Sequence, residues 1–347
     1  MNRTTYGLDL AKRVFQVHWV EIDTGEVKRR TLRRSEVLRF FALQPSGVVA
    51  MEACGSAHHW GRALAKLGHE VQLIAAQFVR PFVKTNKTDT ADAQAIWEAA
   101  QRPEMRRVAL KTEEQQAVLG LHRVRQQLVK QRTMHANQVR GLLYEFGVVM
   151  PEGWKKLLAQ AGPLLADDAI VAVPKLLAEV LREQLSGIRS LSERIDALER
   201  QIGLWQRREA ECRRISAIPG VGPLTATAVV ATIGNANDFR SGRELAAFFG
   251  LVPRQSGTGG RVKLLGISKR GDPYVRTLLI HAARAVLSAQ TRGGREPDPW
   301  IKQLLARRPW NIVLIALANK MARTIWALLA HTRTYDSRWA EARVRST

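Results

Sequence analysis

Four carboxylates carry the first chemical reading of this chain: Asp9, Glu52, Asp89 and Asp92. Asp9 interrupts the otherwise apolar TYGLDL, and Glu52 closes the apolar GVVAME. In both places an isolated charge is costly to bury unless it is paired or holds a cation. Asp89 and Asp92 lie three apart in NKTDTADA, a spacing that puts both on one face of a helix starting there. Two readings of that pair stand side by side. In one, Asp89 caps the helix and Asp92 favours its first turn through the helix dipole. In the other, they complete a four-acid cluster with Asp9 and Glu52 around Mg2+, as one ion or a two-metal site, whose oxygen coordination suits phosphoryl transfer. Lys12, Lys84 and Lys87 lie near these acids in the chain and suit a phosphate backbone.

A second group lies towards the C-terminus. GLVPRQSGTGGRVKLLGISKRGDP reads as a flexible glycine-rich loop that encloses Ser256 among Arg254, Arg261, Lys263, Lys269 and Arg270. Composition makes it a phosphate-contacting loop, while a serine beside a glycine is ordinary turn chemistry. Upstream, IPGVGPLTATAVV sets Gly220 and Gly222 just ahead of an apolar helix. Either the glycines form a plain tight turn, or they let backbone N–H groups approach a phosphate as in a helix-hairpin-helix-like motif.

The elements that must position these residues follow from periodicity. Residues 5–31 read as an antiparallel meander of three short strands, with a turn at Asp23-Thr24-Gly25. A helix over SEVLRFFALQ, a strand over GVVAME, a helix ending at Gly68, a strand over HEVQLIA and a helix from Asp89 to Ala100 give an α/β layer pattern. One long helix is expected over 113–146. After a break at MPEGW and a loop over AGPLLADDAIVAVP, a heptad seam runs through Ile188, Leu191, Ile195, Leu198, Ile202 and Trp205. The two helices are expected to form an antiparallel coiled-coil connector. Arg123, Arg125, Lys130, Arg132 and Arg140 stud the first of them, as a solvated face or as nucleic-acid contacts. The fold class is therefore α/β plus α: an N-terminal domain over 1–110, a helical connector over 111–210, a mostly helical domain over 211–335 that contains Ser256, and a polar tail over 336–347.

Composition narrows the partners. Lys and Arg number 54 against 31 Asp and Glu, a formal charge of +23 that attracts polyanions by counterion release, so nucleic acid is the first partner to consider. There is no uncharged apolar run of membrane-spanning length and no signal-peptide core, which predicts a cytoplasmic, nucleoid-associated protein with no membrane partner. Cys54 and Cys212 are too few for a disulfide framework and lack zinc spacing.

The order of elements and acids resembles the RNase H-like nucleases in the arrangement of RuvC-type Holliday-junction resolvases. GLDLAKRVFQVH, MEACGSAHHWGRAL and KTDTADAQAI resemble the acidic blocks of the DEDD-type insertion-sequence transposases, the IS one-ten family with its IS eleven-eleven subgroup. PGVGPLTA, FGLVP and an SG dipeptide in a basic loop resemble that family's second domain, so the likeness spans nearly the whole chain. It implies Asp9, Glu52, Asp89 and Asp92 as metal ligands and Ser256 as a nucleophile that forms a phosphoserine intermediate with DNA. It further implies donor and target DNA, a structured guide RNA encoded beside the gene, and a dimer or tetramer with composite sites. Two rivals remain open at this stage: a metal-only structure-selective nuclease, and a non-enzymatic nucleic-acid-binding scaffold.

Overall fold

The computed structural model describes residues 3–83, 89–166, 173–258, 261–292 and 297–336. Lys84, Lys87 and nearly all of the polar tail lie outside these residues. The chain divides into two compact units, Met1–Gln115 and Gln116–Thr347.

The first unit is built on a six-stranded mixed sheet of order β3-β2-β1-β4-β5-β6. Strands β1 (Thr5–Asp9), β2 (Val14–Val20) and β3 (Val27–Arg33) form the expected meander, with Leu8 opposite Val17 and Phe15 opposite Leu32. Beyond helix α1 (Val37–Ala42), strands β4 (Val48–Glu52) and β5 (Glu70–Ile74) add in parallel, joined by helix α2 (Ala57–Lys66). Apolar residues alternate along these strands, so one face of the sheet buries Tyr6, Leu8, Phe15 and Met51 with Phe41, Trp60 and Leu64 of α1 and α2. The opposite face carries Ala50 and Ile74 and is covered by Ile96 and Ala99 of α4 (Asp89–Ala100), which follows the short α3 (Ala76–Val79). Helix α4 spans the same residues as expected from sequence. The two-residue β6 (Arg107–Val108) is too short for periodicity to reveal.

The second unit is helical apart from one β-hairpin. Helices α5 (Glu113–Glu145), whose first residues belong to the first unit, and α7 (Lys175–Arg208) run antiparallel: Arg125 meets Glu199, Arg132 meets Ser192, and His135 lies opposite Gly187. A capping box starts α5, with Thr112 and Gln115 exchanging side-chain bonds to each other's N–H at 3.1 and 3.0 Å. Residues 161–166, read from sequence as loop, belong to helix α6 (Trp154–Ala166). Pro163 sits inside that helix. Burial of Leu157, Ala161 and Leu165 against α7 outweighs the proline's helix-breaking cost.

The heptad seam faces inward. Leu191 and Ile195 are buried against Leu128 of α5, and Trp205 joins the C-terminal core, so these side chains are not a free surface for self-association. That core surrounds α9 (Pro223–Ile233), which is buried nearly all round and abuts α7 and α8 (Ala210–Ser216); α10 (Gly242–Phe248) also contributes to it. Helix α11 (Pro273–Arg292), α12 (Pro299–Leu305) and α13 (Trp310–Ala330) complete it. Among the described residues α13 alone is long and apolar enough to cross a membrane, and its Val313, Leu317, Met321 and Ile325 lie in this core.

A buried polar chain ties α5 into the unit. The Arg125 guanidinium pairs with Glu199 at 2.6 Å and donates to the Tyr274 hydroxyl. That hydroxyl donates to His122 Nδ1 at 2.9 Å, and His122 Nε2–H donates to Thr227 Oγ1 at 2.9 Å. Thr227 in turn donates to the Pro223 carbonyl at 2.7 Å. Burial, with Arg125 adding to it, holds the His122 pKa down at about 4, so the folded state keeps it neutral. Between the ordinary value near 6.5 and about 4, the unfolded chain takes up a proton that the folded chain refuses, so stability falls as pH falls through that window.

Two outcomes are expected. Thermal unfolding at pH 7 and pH 4.5 should show an acid-dependent loss of about 2 kcal/mol that is missing from His122→Gln; parallel pH curves for the two proteins would remove His122 as its source. Ile195→Asp should destabilise the second unit by more than about 3 kcal/mol in denaturant titration, because it buries an unpaired carboxylate.

Candidate active site

Asp9 ends β1 and Glu52 ends β4, and these are neighbouring parallel strands with Leu8 opposite Met51. One residue further in that register, the two carboxylates stand side by side at the carboxyl edge of the sheet. Their face follows from the period of two. Gly7, opposite Ala50 in the register, lies under α4, so Asp9 and Glu52 project to the side that α4 covers. Both are half-buried. Cys54 reports that they share a locality: burial pushes its thiol pKa up, and the negative charges of Glu52 and then Asp9 push it further.

Helix α4 brings in Asp92. A Cβ at residue 7 would meet the Ala93 carbonyl oxygen and come within 2.8 Å of the Trp97 backbone nitrogen, so only glycine lets the helix lie this close to β1. Asp92, half-buried, directly precedes Ala93. The first residues of α4 are therefore held over the strand that ends in Asp9. The side chain of Asp89 lies outside the described residues. Among those described, no three His, Cys, Asp or Glu side chains already gather as a metal cluster. The available donors, Asp9, Glu52 and Asp92, are hard carboxylate oxygens of the type a divalent cation such as magnesium takes. Lys12 is exposed in the turn that follows Asp9. His58 accepts from the Lys111 N–H at 3.3 Å, which commits one ring nitrogen to the fold.

The region around Ser256 is a hairpin rather than the flexible loop expected. Strands β7 (Pro253–Thr258) and β8 (Arg261–Ile267) pair antiparallel, with Ser256 opposite Lys263 and a bulge between Pro253 and Gln255. The signal was present in the sequence: Gly259-Gly260 between residue runs that include Val262, Leu264 and Ile267 is a hairpin pattern. Its glycine content drew attention away from the alternation. The hairpin base is fixed by Ser268 N–H donating to Val252 O at 2.8 Å and by Arg276 donating to the carbonyls of Phe249 and Arg270. Ser256 is exposed, as are Arg254, Arg261, Lys263, Lys269 and Arg270, and residues 253–271 contain no acid.

The remaining expected contacts separate by structure. Gly220, at φ +84°, approaches α11 so closely that a Cβ would lie 2.5 Å from the Ala282 carbonyl oxygen. Helix packing accounts for it. Gly222 caps α9 and faces open space. On α5, Arg123 and Lys130 are exposed. Arg125 is committed to Glu199, Arg132 lies 4.4 Å from the centre of the Trp154 ring, and Arg140 donates to Asn137 and the Pro151 carbonyl.

This sheet with its acidic edge is consistent with an RNase H-like transposase domain, and the comparisons with known proteins agree. Residues 6–147 match a DEDD transposase family model, described as transposase, and residues 212–297 match the transposase IS116/IS110/IS902 family. A probable family 20 transposase of Pseudomonas aeruginosa is 50% identical over 96% of this chain and 99% of its own. The transposase for insertion sequence element IS1111A of Coxiella burnetii is 42% identical over 95% and 90%, and that for IS1328 of Yersinia enterocolitica 39% over 94% and 97%. The chain belongs to the IS116/IS110/IS902 family of insertion-sequence transposases. It is an enzyme that recombines DNA.

Gly7→Ala tests how α4 is seated. The added methyl overlaps backbone that has nowhere to go, so α4 must shift by a sizeable fraction of an ångström. Transposition is expected to fall about 100-fold, while the protein stays folded by circular dichroism. Activity within a factor of two of the parent would show that the α4–β1 distance does not matter to the chemistry.

Proposed function

We propose that this transposase cuts and rejoins DNA through a covalent serine intermediate at Ser256, assisted by a magnesium-binding set of Asp9, Glu52, Asp89 and Asp92, with target choice set by a guide RNA. The observation that carries the reading is Ser256 itself: an exposed hydroxyl on a paired strand, flanked by five cations without one acid. A ribbon of that charge suits the DNA backbone, and a strand holds a nucleophile in one orientation better than a mobile loop does.

The chemistry is balanced within the reading. Ser256 Oγ gives up its proton and bonds to a DNA phosphorus, while the phosphorus–oxygen bond to one sugar breaks. The departing oxygen takes up a proton and becomes a free hydroxyl end. Because the phosphate remains in an ester, a second DNA hydroxyl can reverse the step on another strand with no outside energy source. The hairpin cations Arg254, Arg261 and Lys263 would stabilise the added negative charge on the phosphate oxygens, with Lys269 and Arg270 just beyond the hairpin adding to the positive surface. Asp9 and Glu52, with Asp92 from α4, would hold the metal. When bound there, magnesium supplies Lewis-acid stabilisation of charge on the phosphoryl oxygens. The reading requires the carboxylate edge and Ser256 to act on one phosphate, within a chain or between subunits of a dimer or tetramer. Sequence choice by base pairing to RNA agrees with a surface charge suited to backbone contact.

Ser256→Ala decides the central point. With DNA carrying the element ends, the parent should leave a protein–DNA adduct stable to denaturing gels. The variant should leave none and should lose strand exchange while binding DNA with affinity within about threefold. An adduct that persists in Ser256→Ala would falsify the nucleophile assignment; magnesium-dependent cleavage without any adduct would favour a water nucleophile at the carboxylates. Sequencing the RNA that co-purifies at high salt tests the guide: one discrete species from the gene's flank is expected, and random fragments would remove it.

A further inference from the structure

Beyond the carboxylates, the same edge of the sheet carries a second feature. The turn after Asp9 delivers Lys12 and Arg13, and β3, antiparallel to β2, ends at that edge in Arg33 and Arg34. Val14 pairs with Arg33, and the Arg34 N–H donates to the Arg13 carbonyl at 2.9 Å, extending the β2–β3 ladder past its last register pair. Four cations are thereby brought around a shallow, open concavity of about 630 Å³, which exposed His59 and buried Trp60 also line.

Neighbouring cations on strand β3 do not line this concavity. Lys28 pairs with Glu26 at 2.7 Å, Arg29 donates to Gln94, and Arg30 lies 5.8 Å from the centre of the Phe40 ring. Lys12, Arg13, Arg33 and Arg34 make no ion pair among the described residues. Glu36, the acid nearest in sequence to Arg33 and Arg34, accepts the backbone N–H of Arg33 at 2.8 Å, and Asp9 is the nearest to Lys12 and Arg13. Holding like charges on facing positions costs energy that an anion in the concavity offsets. Arg34 is also held in place, its guanidinium carbon 5.0 Å from the centre of the Trp60 ring, which packs edge-on against Phe15. Such an anchored guanidinium loses little freedom on meeting a phosphate.

We propose that Lys12, Arg13, Arg33 and Arg34 form a phosphate-binding site for duplex DNA that feeds the backbone onto the carboxylate edge of the same sheet. DNA is the commitment because the chain is a DNA transposase and because the site and Asp9 lie at the two ends of one short turn. The proposal rests on the reading of that edge as the place where DNA phosphates react.

The test measures duplex DNA binding by fluorescence anisotropy over a salt series, with full-length protein in a Ser256→Ala background. The assay is run without divalent metal, so neither the serine nor a metal-bound water can cut the duplex, and failure of the serine assignment leaves this readout untouched. In the triple variant Arg13→Gln/Arg33→Gln/Arg34→Gln, the slope of log affinity against log salt should fall by about 3, near 1 per lost phosphate contact. Lys28→Gln/Arg29→Gln/Arg30→Gln removes the same formal charge from residues outside the concavity and should change the slope by less than about 1. Equal changes in the two variants would reduce the site to generic charge and overturn it. So would an unchanged slope for DNA together with a lowered slope for an RNA duplex, which would assign the site to RNA. If the triple variant unfolds early in a thermal scan, Arg34→Gln alone should lower the slope by about 1, and no change there would overturn the proposal as well.

Discussion

The carbonyl oxygen of Ala93 occupies the space that a side chain on residue 7 would need, and the placement of the acidic edge depends on that exclusion. A helix normally keeps its distance from a sheet because side chains stand between them. At Gly7 that spacer is missing, so α4 settles directly on β1 and carries Asp92 to the strand that ends in Asp9. Ala50, on the neighbouring strand, keeps the same face shallow under Ala95 and Ile96. Small residues on one face of two adjacent strands thus set the height of a helix, and with it the position of a carboxylate.

Charge is distributed by a comparable division of labour. Of the basic residues on α5, Arg125 and Arg132 join it to α7 and to Trp154 at the start of α6, and Arg140 ties it to the loop carbonyl of Pro151. Others, on the Ser256 hairpin and at the carboxylate edge, are exposed and make no ion pair among the described residues. Net charge alone does not distinguish the two classes. A guanidinium whose N–H groups are already taken by a carboxylate, hydroxyl or carbonyl adds little to phosphate affinity, since binding must first break those bonds, whereas one that only packs on a ring keeps its donors open.

The second unit shows how a polar chain orders a helical core. His122, Tyr274 and Thr227 are donor and acceptor in turn, each satisfied, and they join α5 to α9 and α11. Buried polar groups linked in this way accept one arrangement only, because a shift of any helix leaves a donor or acceptor without a partner. The same unit presents the Ser256 hairpin, whose base hangs on α10 and α11 through backbone and Arg276 bonds.

Much of this was legible in sequence. The meander, the two parallel strands and the extent of α4 follow from period-two and helical patterns whose burial is local to each element, and the family follows from the acidic blocks and the PGVGP and FGLVP segments. The hairpin around Ser256 was misread because its glycines imitate a loop, and the end of α6 because Pro163 imitates a stop. Tertiary structure alone decided which cations remain open, that the heptad seam faces its own chain, that Gly220 serves helix packing, and that Lys12, Arg13, Arg33 and Arg34 meet at the carboxylate edge. The physical reason is range. Periodicity and turn chemistry act over a few residues and are written in neighbouring letters, whereas an ion pair, a ring contact or a shared sheet edge depends on which distant segments the fold makes adjacent.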